Sequence, residues 1–168
     1  MTYFISRILF YVFILTSLQA VADNTAIAEK VEKMSSKYDK KYLSIKHVTV
    51  SSYLKSPQKW ILVDVRTEKE RKISIIPGAI TKEMLEHKLA DYKDKRILLY
   101  CTVGDRSSAY AIKLLEQGCK HVSNLRGGVL AWALAGKKFV TPGNSKTRKV
   151  HVYAVAWNIL PPNYIGFW

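Results

Sequence analysis

Cys101, in the run Cys-Thr-Val-Gly-Asp-Arg-Ser107, is the side chain best placed to do covalent chemistry, because of what flanks it. Arg-Ile-Leu-Leu-Tyr precedes it, a short apolar run of strand type. Ser-Ala-Tyr-Ala-Ile-Lys-Leu-Leu-Glu-Gln-Gly follows, a helical pattern in which Ala109, Ile112 and Leu115 share one face and Gly118 is the stop. The cysteine therefore ends a buried strand, in a tight loop that opens into a helix. Inward-pointing N–H groups and the positive end of the helix make such a loop an anion cradle. A sulfur at its floor is expected to react as a thiolate nucleophile.

The elements that position this loop follow from the apolar pattern. His47–Val50 reads as a first strand, with a helical turn after it. Trp60–Val65 is an almost continuous apolar run, as a strand covered on both faces requires. Thr81 is placed to cap a helix carrying Met84, Leu85 and Leu89. Strand and helix alternate, which predicts an α/β fold: a central, mostly parallel sheet with helices on both faces and Cys101 at its carboxyl edge.

Ile61-Leu-Val-Asp-Val-Arg66, Ile76-Pro-Gly-Ala-Ile80, the Cys101 loop and Val122-Ser-Asn-Leu-Arg-Gly-Gly-Val-Leu-Ala-Trp132 follow one another along the chain. In that order the four motifs resemble the rhodanese family, sulfurtransferases that carry sulfur as a cysteine persulfide. The resemblance runs from about Ile45 to about Phe139 and implies a rhodanese-like three-layer fold. It implies that Cys101 is the nucleophile and that Thr102, Val103, Gly104, Asp105 and Arg106 offer backbone N–H groups to a persulfide. Gly104 permits a conformation that a β-carbon resists. Arg106 would hold a departing oxyanion with its planar fork, or brace the loop by pairing with Asp64. Asp64 and Arg66 read as supports of the loop and its entrance, and Ser107 and Ser108 as helix caps. Arg71 stands where the family has an aromatic residue, and Ser74-Ile75 where it has Gly-His; both changes are expected near the substrate rim.

Composition narrows the rest. The chain has 168 residues and a formal net charge of +14. Arg7, the apolar run Ile8–Leu18 and Ala20-Val-Ala22 have the order of an export leader, cleaved near Ala22. That run falls short of the about 20 residues a bilayer span needs, so a retained anchor is the lesser alternative. Export, most simply to a periplasm, is the expectation. Loss of Arg7 with the leader takes the charge from +14 to +13. The lysines are scattered rather than grouped with aromatics, so no nucleic-acid partner is expected. The expected segments are a leader at 1–22, a basic extension at 23–44, a rhodanese-like domain at 45–140 and a basic, aromatic tail at 141–168. The extension is a helix on the domain or a loose arm. His151–Trp157 reads as an extra edge strand. The tail either covers a hydrophobic patch or docks to a protein or membrane-surface partner.

Cys119 follows a helix of about 11 residues, which at about 1.5 Å per residue sets it roughly 16 Å from Cys101. That exceeds the ~7 Å reach between bridged Cα atoms, so no disulfide is expected and Cys119 reads as a buried apolar residue. His47, His87, His121 and His151 lack metal-ligand spacing, so neither a metal nor another cofactor is expected. Three functions stay open: a sulfurtransferase passing sulfur from a small anionic donor such as thiosulfate to a thiol or cyanide, a phosphatase or arsenate reductase of the same fold, and a non-catalytic or carrier module that binds a partner through the tail and passes sulfur on. The family's phosphatase relatives usually have five residues between Cys and Arg; here there are four.

Overall fold

The structure is a computed structural model that describes residues 2–168, with side chains from Ala22 onward. Apolar strand runs form one sheet from β1 (Lys46–Val48), β2 (Ile61–Asp64), β3 (Ile80–Thr81), β4 (Arg96–Tyr100) and β5 (His121–Leu125). The order is β1-β5-β4-β2-β3 and every pairing is parallel. The helices are α1 (Thr2–Lys41), α2 (Val50–Leu54), α3 (Glu68–Ile73), α4 (Lys82–His87), α5 (Leu89–Tyr92), α6 (Asp105–Glu116) and α7 (Gly128–Leu134). Side chains alternate across the pleat and so build two cores. Val48, Leu62, Leu98 and Leu125 face α1, α2 and α7. Val63, Ile97, Leu99 and Val122 face α4, α5 and α6. The three-layer α/β expectation holds, with a wholly parallel central sheet.

This topology selects the site. The chain leaves β2 toward β3 on one side and leaves β4 toward β5 on the other. Loops after β2 and β4 therefore diverge, and the crevice between them is where open α/β sheets bind ligands.

Several local expectations need correction. β1 ends at Val48, because Thr49 accepts the Ser52 N–H and caps α2. Thr81 does cap α4, accepting the Met84 N–H at 3.2 Å, and Leu85 is buried, but Met84 is 54% exposed. The inward face of α6 is Ser107, Ser108, Ala111 and Leu114, one residue around from the predicted stripe, and Leu115 points outward. The loop delivers this helix with polar Ser107 turned inward, and that orientation outranks the apolar count. Gly118 does stop α6: at φ +88° its N–H binds Leu115 O while Cys119 N–H reaches Leu114 O.

Segments before and after the sheet lie on the first core. Ile27, Val31, Met34 and Tyr38 of α1 pack there, so the basic extension is a helix on the domain. The leader expected over 1–22 lies, except for Ala22, outside the residues whose side chains are described. Among the described residues no helix is long and apolar enough to cross a membrane.

At the other end, β6 (Phe139–Val140) pairs antiparallel with β7 (Lys146–Thr147), and β8 (Lys149–His151) pairs parallel with β9 (Ile165–Phe167). The expected edge strand over 151–157 is instead the end of β8, a left-handed Tyr153 at φ +73°, and a 3-10 turn over Val155–Trp157. Positive φ breaks the extended run. Val150 and Val152 are fully buried, and Tyr164 meets Phe139 edge-on with centroids 6.1 Å apart. Each such burial contributes about 2 kcal/mol, against a net stability of about 5–15 kcal/mol. Truncation after Lys138 is therefore expected to abolish cooperative unfolding, read by circular dichroism. A truncated chain melting within a few degrees of the full one would show that the tail contributes little to the core.

Candidate active site

Cys101 leaves β4 directly into the loop, and its side chain is 2% exposed. The Gly104 N–H donates to Sγ at 3.1 Å. Gly104 has φ +124°, and a Cβ there would stand 3.0 Å from the Asn124 amide nitrogen. This is a position only glycine fills without strain. Gly104 also caps α6, which starts at Asp105, so the first N–H groups of that helix lack helical partners and face the loop. Ser107 and Ser108 thus lie inside the helix and do not cap it. Ser107 Oγ stands 3.4 Å from Sγ and 2.6 Å from Asn124 Oδ1.

The double glycine holds the loop from below. Val129 and Leu130 N–H groups bind the carbonyls of Cys101 and Thr102 at 3.1 and 3.2 Å. A Cβ at Gly128 would stand 2.2 Å from Cys101 O, so any side chain there would push α7 off the loop.

Arg106 pairs with Glu70, not Asp64. Its two terminal nitrogens meet the two carboxylate oxygens at 2.7 Å each, and one also meets Thr102 Oγ1 at 3.0 Å. The fork expected to hold an oxyanion is therefore filled from within the chain, and Tyr153 lies 5.0 Å over the guanidinium. Asp105 accepts from Lys41 Nζ at 2.9 Å and from Tyr42 Oη at 2.8 Å. Val103 is buried in the first core.

Above the sulfur is a cavity of about 200 Å³ lined by Tyr38, Val103, Asp105, Arg106, Tyr153 and Trp157. Its aromatic walls come from α1 and from the tail, and the Tyr153 and Trp157 rings meet at a 39° tilt with centroids 5.2 Å apart. Among the described residues no cluster of side chains is arranged to hold a metal ion. Both cysteines are free; Cys119 is buried in the second core, and burial pushes its thiol pKa up.

Residues 50–135, more than half of the chain, match the family model of the rhodanese-like domain. The chain belongs to the rhodanese-like family. Over 97 residues it is 35% identical to a sulfurtransferase of Allochromatium vinosum, covering 56% of this chain and 91% of that protein. It is 27% identical over 146 residues to a tRNA uridine(34) hydroxylase of Acinetobacter baumannii, covering 67% of this chain but 46% of that relative. The fold resembles a thiosulfate sulfurtransferase from Pseudomonas aeruginosa (TM-score 0.53, 22% identity, 66% of this chain and 23% of that one). It also resembles a protein from Rhodopseudomonas palustris described as a possible tyrosine phosphatase (TM-score 0.51, 25% identity, 65% of this chain and 92% of that one).

In this rhodanese-like chain Asp64 and Arg66 support the scaffold and do not form an entrance. They pair with each other at 2.7 Å and are almost fully buried. Asp64 accepts from Tyr100 Oη at 2.6 Å, and Tyr100 Oη accepts the Ile76 N–H at 3.0 Å, which ties the Ile-Pro-Gly turn to β4. Burial, with Asp64 beside it, holds the Tyr100 hydroxyl protonated. The two departures from the family pattern do not line the cavity. Arg71 binds Arg66 O and pairs with Glu83, and Ser74 is fully buried.

Sequence reasoning missed Glu70, Asn124, Tyr38, Tyr153 and Trp157. Thr67-x-x-Glu70 was a legible signal, since it forms a capping box on α3. The same carboxylate then reaches Arg106. Burial raises the pKa of Glu70, but hydrogen bonds from Arg106 and Thr67 outweigh it and bring the carboxyl down to about 2 from 4.5. A depressed folded-state value means that this stabilisation is whole above pH 4.5 and is lost as pH falls toward 2. Glu70→Gln is expected to cost about 2–3 kcal/mol at neutral pH. The gap to the parent should close on acidification across that range, as read by denaturant titration; a constant gap would assign the loss to packing alone.

Proposed function

We propose that this protein is a sulfurtransferase that carries sulfur as a persulfide on Cys101, taking it from a small anionic donor such as thiosulfate. One observation carries the reading: the buried Sγ stands at the floor of a small cavity, with the Gly104 N–H on it and the amino end of α6 beside it. Cys101 thiolate attacks the outer sulfur of thiosulfate. The Sγ–S bond forms, the donor S–S bond breaks, and sulfite leaves with the electron pair. A thiol or cyanide then attacks the outer sulfur and returns Cys101 as thiolate. Splitting the transfer this way replaces one difficult step by two easier ones. N–H dipoles fixed before substrate arrives stabilise each sulfur anion without reorganisation.

Phosphatase or arsenate-reductase chemistry fits less well. The loop holds four residues between Cys101 and Arg106. The Arg106 fork that would embrace a tetrahedral oxyanion is engaged by Glu70. The hydroxylase activity of the longer relatives is not carried over, because this chain spans less than half of them. Buried Val150, Val152 and Tyr164 favour a covering role for the tail over a docking arm. We place the protein outside the cytoplasm on the order of Arg7, the apolar run and Ala20-Val-Ala22; amino-terminal sequencing of the mature protein from cell fractions tests this.

Intact-mass spectrometry after thiosulfate treatment is expected to show one added sulfur atom, absent in Cys101→Ser and retained in Cys119→Ser. Sulfite release should follow the same pattern. Equal loss in both variants would overturn the assignment. A glycine inserted after Gly104 is expected to abolish sulfur transfer by displacing the N–H from Sγ, while the parent hydrolyses no aryl phosphate; brisk phosphatase activity in the parent would reverse the choice of chemistry.

A further inference from the structure

A chain of polar side chains leads from Cys101 into the sheet, and the transfer chemistry above makes no use of it beyond its first contact. Ser107 Oγ lies between Sγ, at 3.4 Å, and Asn124 Oδ1, at 2.6 Å. Asn124 Nδ2 lies 3.1 Å from His47 Nδ1. The same Nδ1 is 3.3 Å from Asp39 Oδ1, and Asp39 Oδ2 accepts from Arg126 Nε at 2.6 Å. Ser107 and Asn124 are buried at 0% and 1% exposure, so solvent does not complete their hydrogen bonding.

A serine hydroxyl has one proton to give. In the arrangement described, Ser107 gives it to Asn124, and Asn124 gives an amide proton to His47. Ser107 is then left to accept from a thiol S–H. Every donor of this side-chain relay points away from the sulfur, which leaves the Gly104 N–H to serve a thiolate or persulfide without it. The arrangement also has an internal cost. His47 accepting at Nδ1 must carry its proton on Nε2, which is buried with no hydrogen-bond partner among the described residues. Its Nδ1 lone pair then faces the Asp39 carboxylate.

A half-turn of the Asn124 amide reverses the direction. With the His47 proton on Nδ1, that N–H serves both Asp39 and Asn124 Oδ1. Asn124 Nδ2 then donates to Ser107 Oγ, and Ser107 donates to the sulfur. Between the two arrangements the imidazole proton moves from Nε2 to Nδ1. Sulfur gains a second donor beside the Gly104 N–H.

We propose that Asn124 is a positioning residue whose amide, set by His47 and Asp39, decides whether Ser107 donates its proton to the sulfur of Cys101. The proposal rests on Cys101 being the sulfur carrier.

The test uses the full chain with Cys119→Ser, so that one thiol reports. Two rates are read: iodoacetamide alkylation of Cys101 against pH, and persulfide formation from thiosulfate. The charged and titratable groups facing these atoms are Tyr38 from α1 and Asp105 and Arg106 from α6 around the sulfur, and Asp39 with its partner Arg126 on His47. All five are kept. Asn124→Asp is close in shape but only accepts, so it captures the Ser107 proton permanently. It is expected to raise the alkylation midpoint by about one pH unit and to slow persulfide formation about tenfold.

In a Ser107→Ala background the same Asn124→Asp change should have little further effect. An undiminished effect there would mean a charge acting through space, and the proposal falls. His47→Leu adds no charge and gives an independent reading should Asn124→Asp fold poorly. It is expected to shift the midpoint in the same direction, and an unshifted midpoint in a folded His47→Leu protein also overturns the proposal. If the parent forms no persulfide on Cys101, the sulfurtransferase reading fails first; if it forms one and the variants match it, only the role of Asn124 fails.

Discussion

Two peptide N–H groups, those of Val129 and Leu130, hold the carbonyls of Cys101 and Thr102, and the site depends on that clamp. In a planar trans peptide the C=O and the following N–H point opposite ways. Tying two successive carbonyls to α7 therefore turns the N–H groups of Thr102 and Val103 away from α7. The clamp closes only because Gly128 brings α7 against the loop without a β-carbon. The double glycine thus shapes the candidate site although it contributes no functional group. Below it, the Asp64–Arg66–Tyr100 cluster fixes the ends of β2 and β4, so the two sides of the crevice are anchored to each other.

The charged groups around Cys101 are matched within the chain. Arg106 meets Glu70, and Lys41 meets Asp105. The Gly104 N–H and the amino end of α6 therefore act on the sulfur beside an Arg106 charge that is already paired, and their directions are set by backbone. Side-chain cations follow a substrate as it moves, whereas backbone dipoles do not. The first arrangement serves capture, and the second serves a charge that forms at one fixed point.

The sequence was most legible where local chemistry and the fold ask for the same residue. Leu62, Val63, Leu98 and Leu99 announced buried strands, Gly118 a helix stop, and Cys101 its place at a strand end. It was least legible where one residue answers to two elements. Glu70 caps α3 and also grips Arg106, and only the first duty leaves a trace in spacing. Asn124 is a polar residue in a strand whose role appears only once α6 lies over it. The stripe on α6 failed for a related reason, since the inward face of that helix serves the sulfur as well as the core. Tyr38, Tyr153 and Trp157 belong to segments outside the matched 50–135, where no local pattern links them to the loop.

That last arrangement sets an order of assembly. The floor of the cavity is made by Cys101 and the loop after β4, close together along the chain, while its walls are made by Tyr38, before the sheet, and by Tyr153 and Trp157, after it. Closing a loop that spans most of the chain costs more entropy than closing a short one and is slower. During synthesis the cysteine and its cradle emerge well before Tyr153 and Trp157. A nascent chain therefore presents the Cys101 sulfur beside Tyr38 but without Tyr153 and Trp157, and the thiol becomes enclosed only when the segment carrying those two rings has been made and folded back.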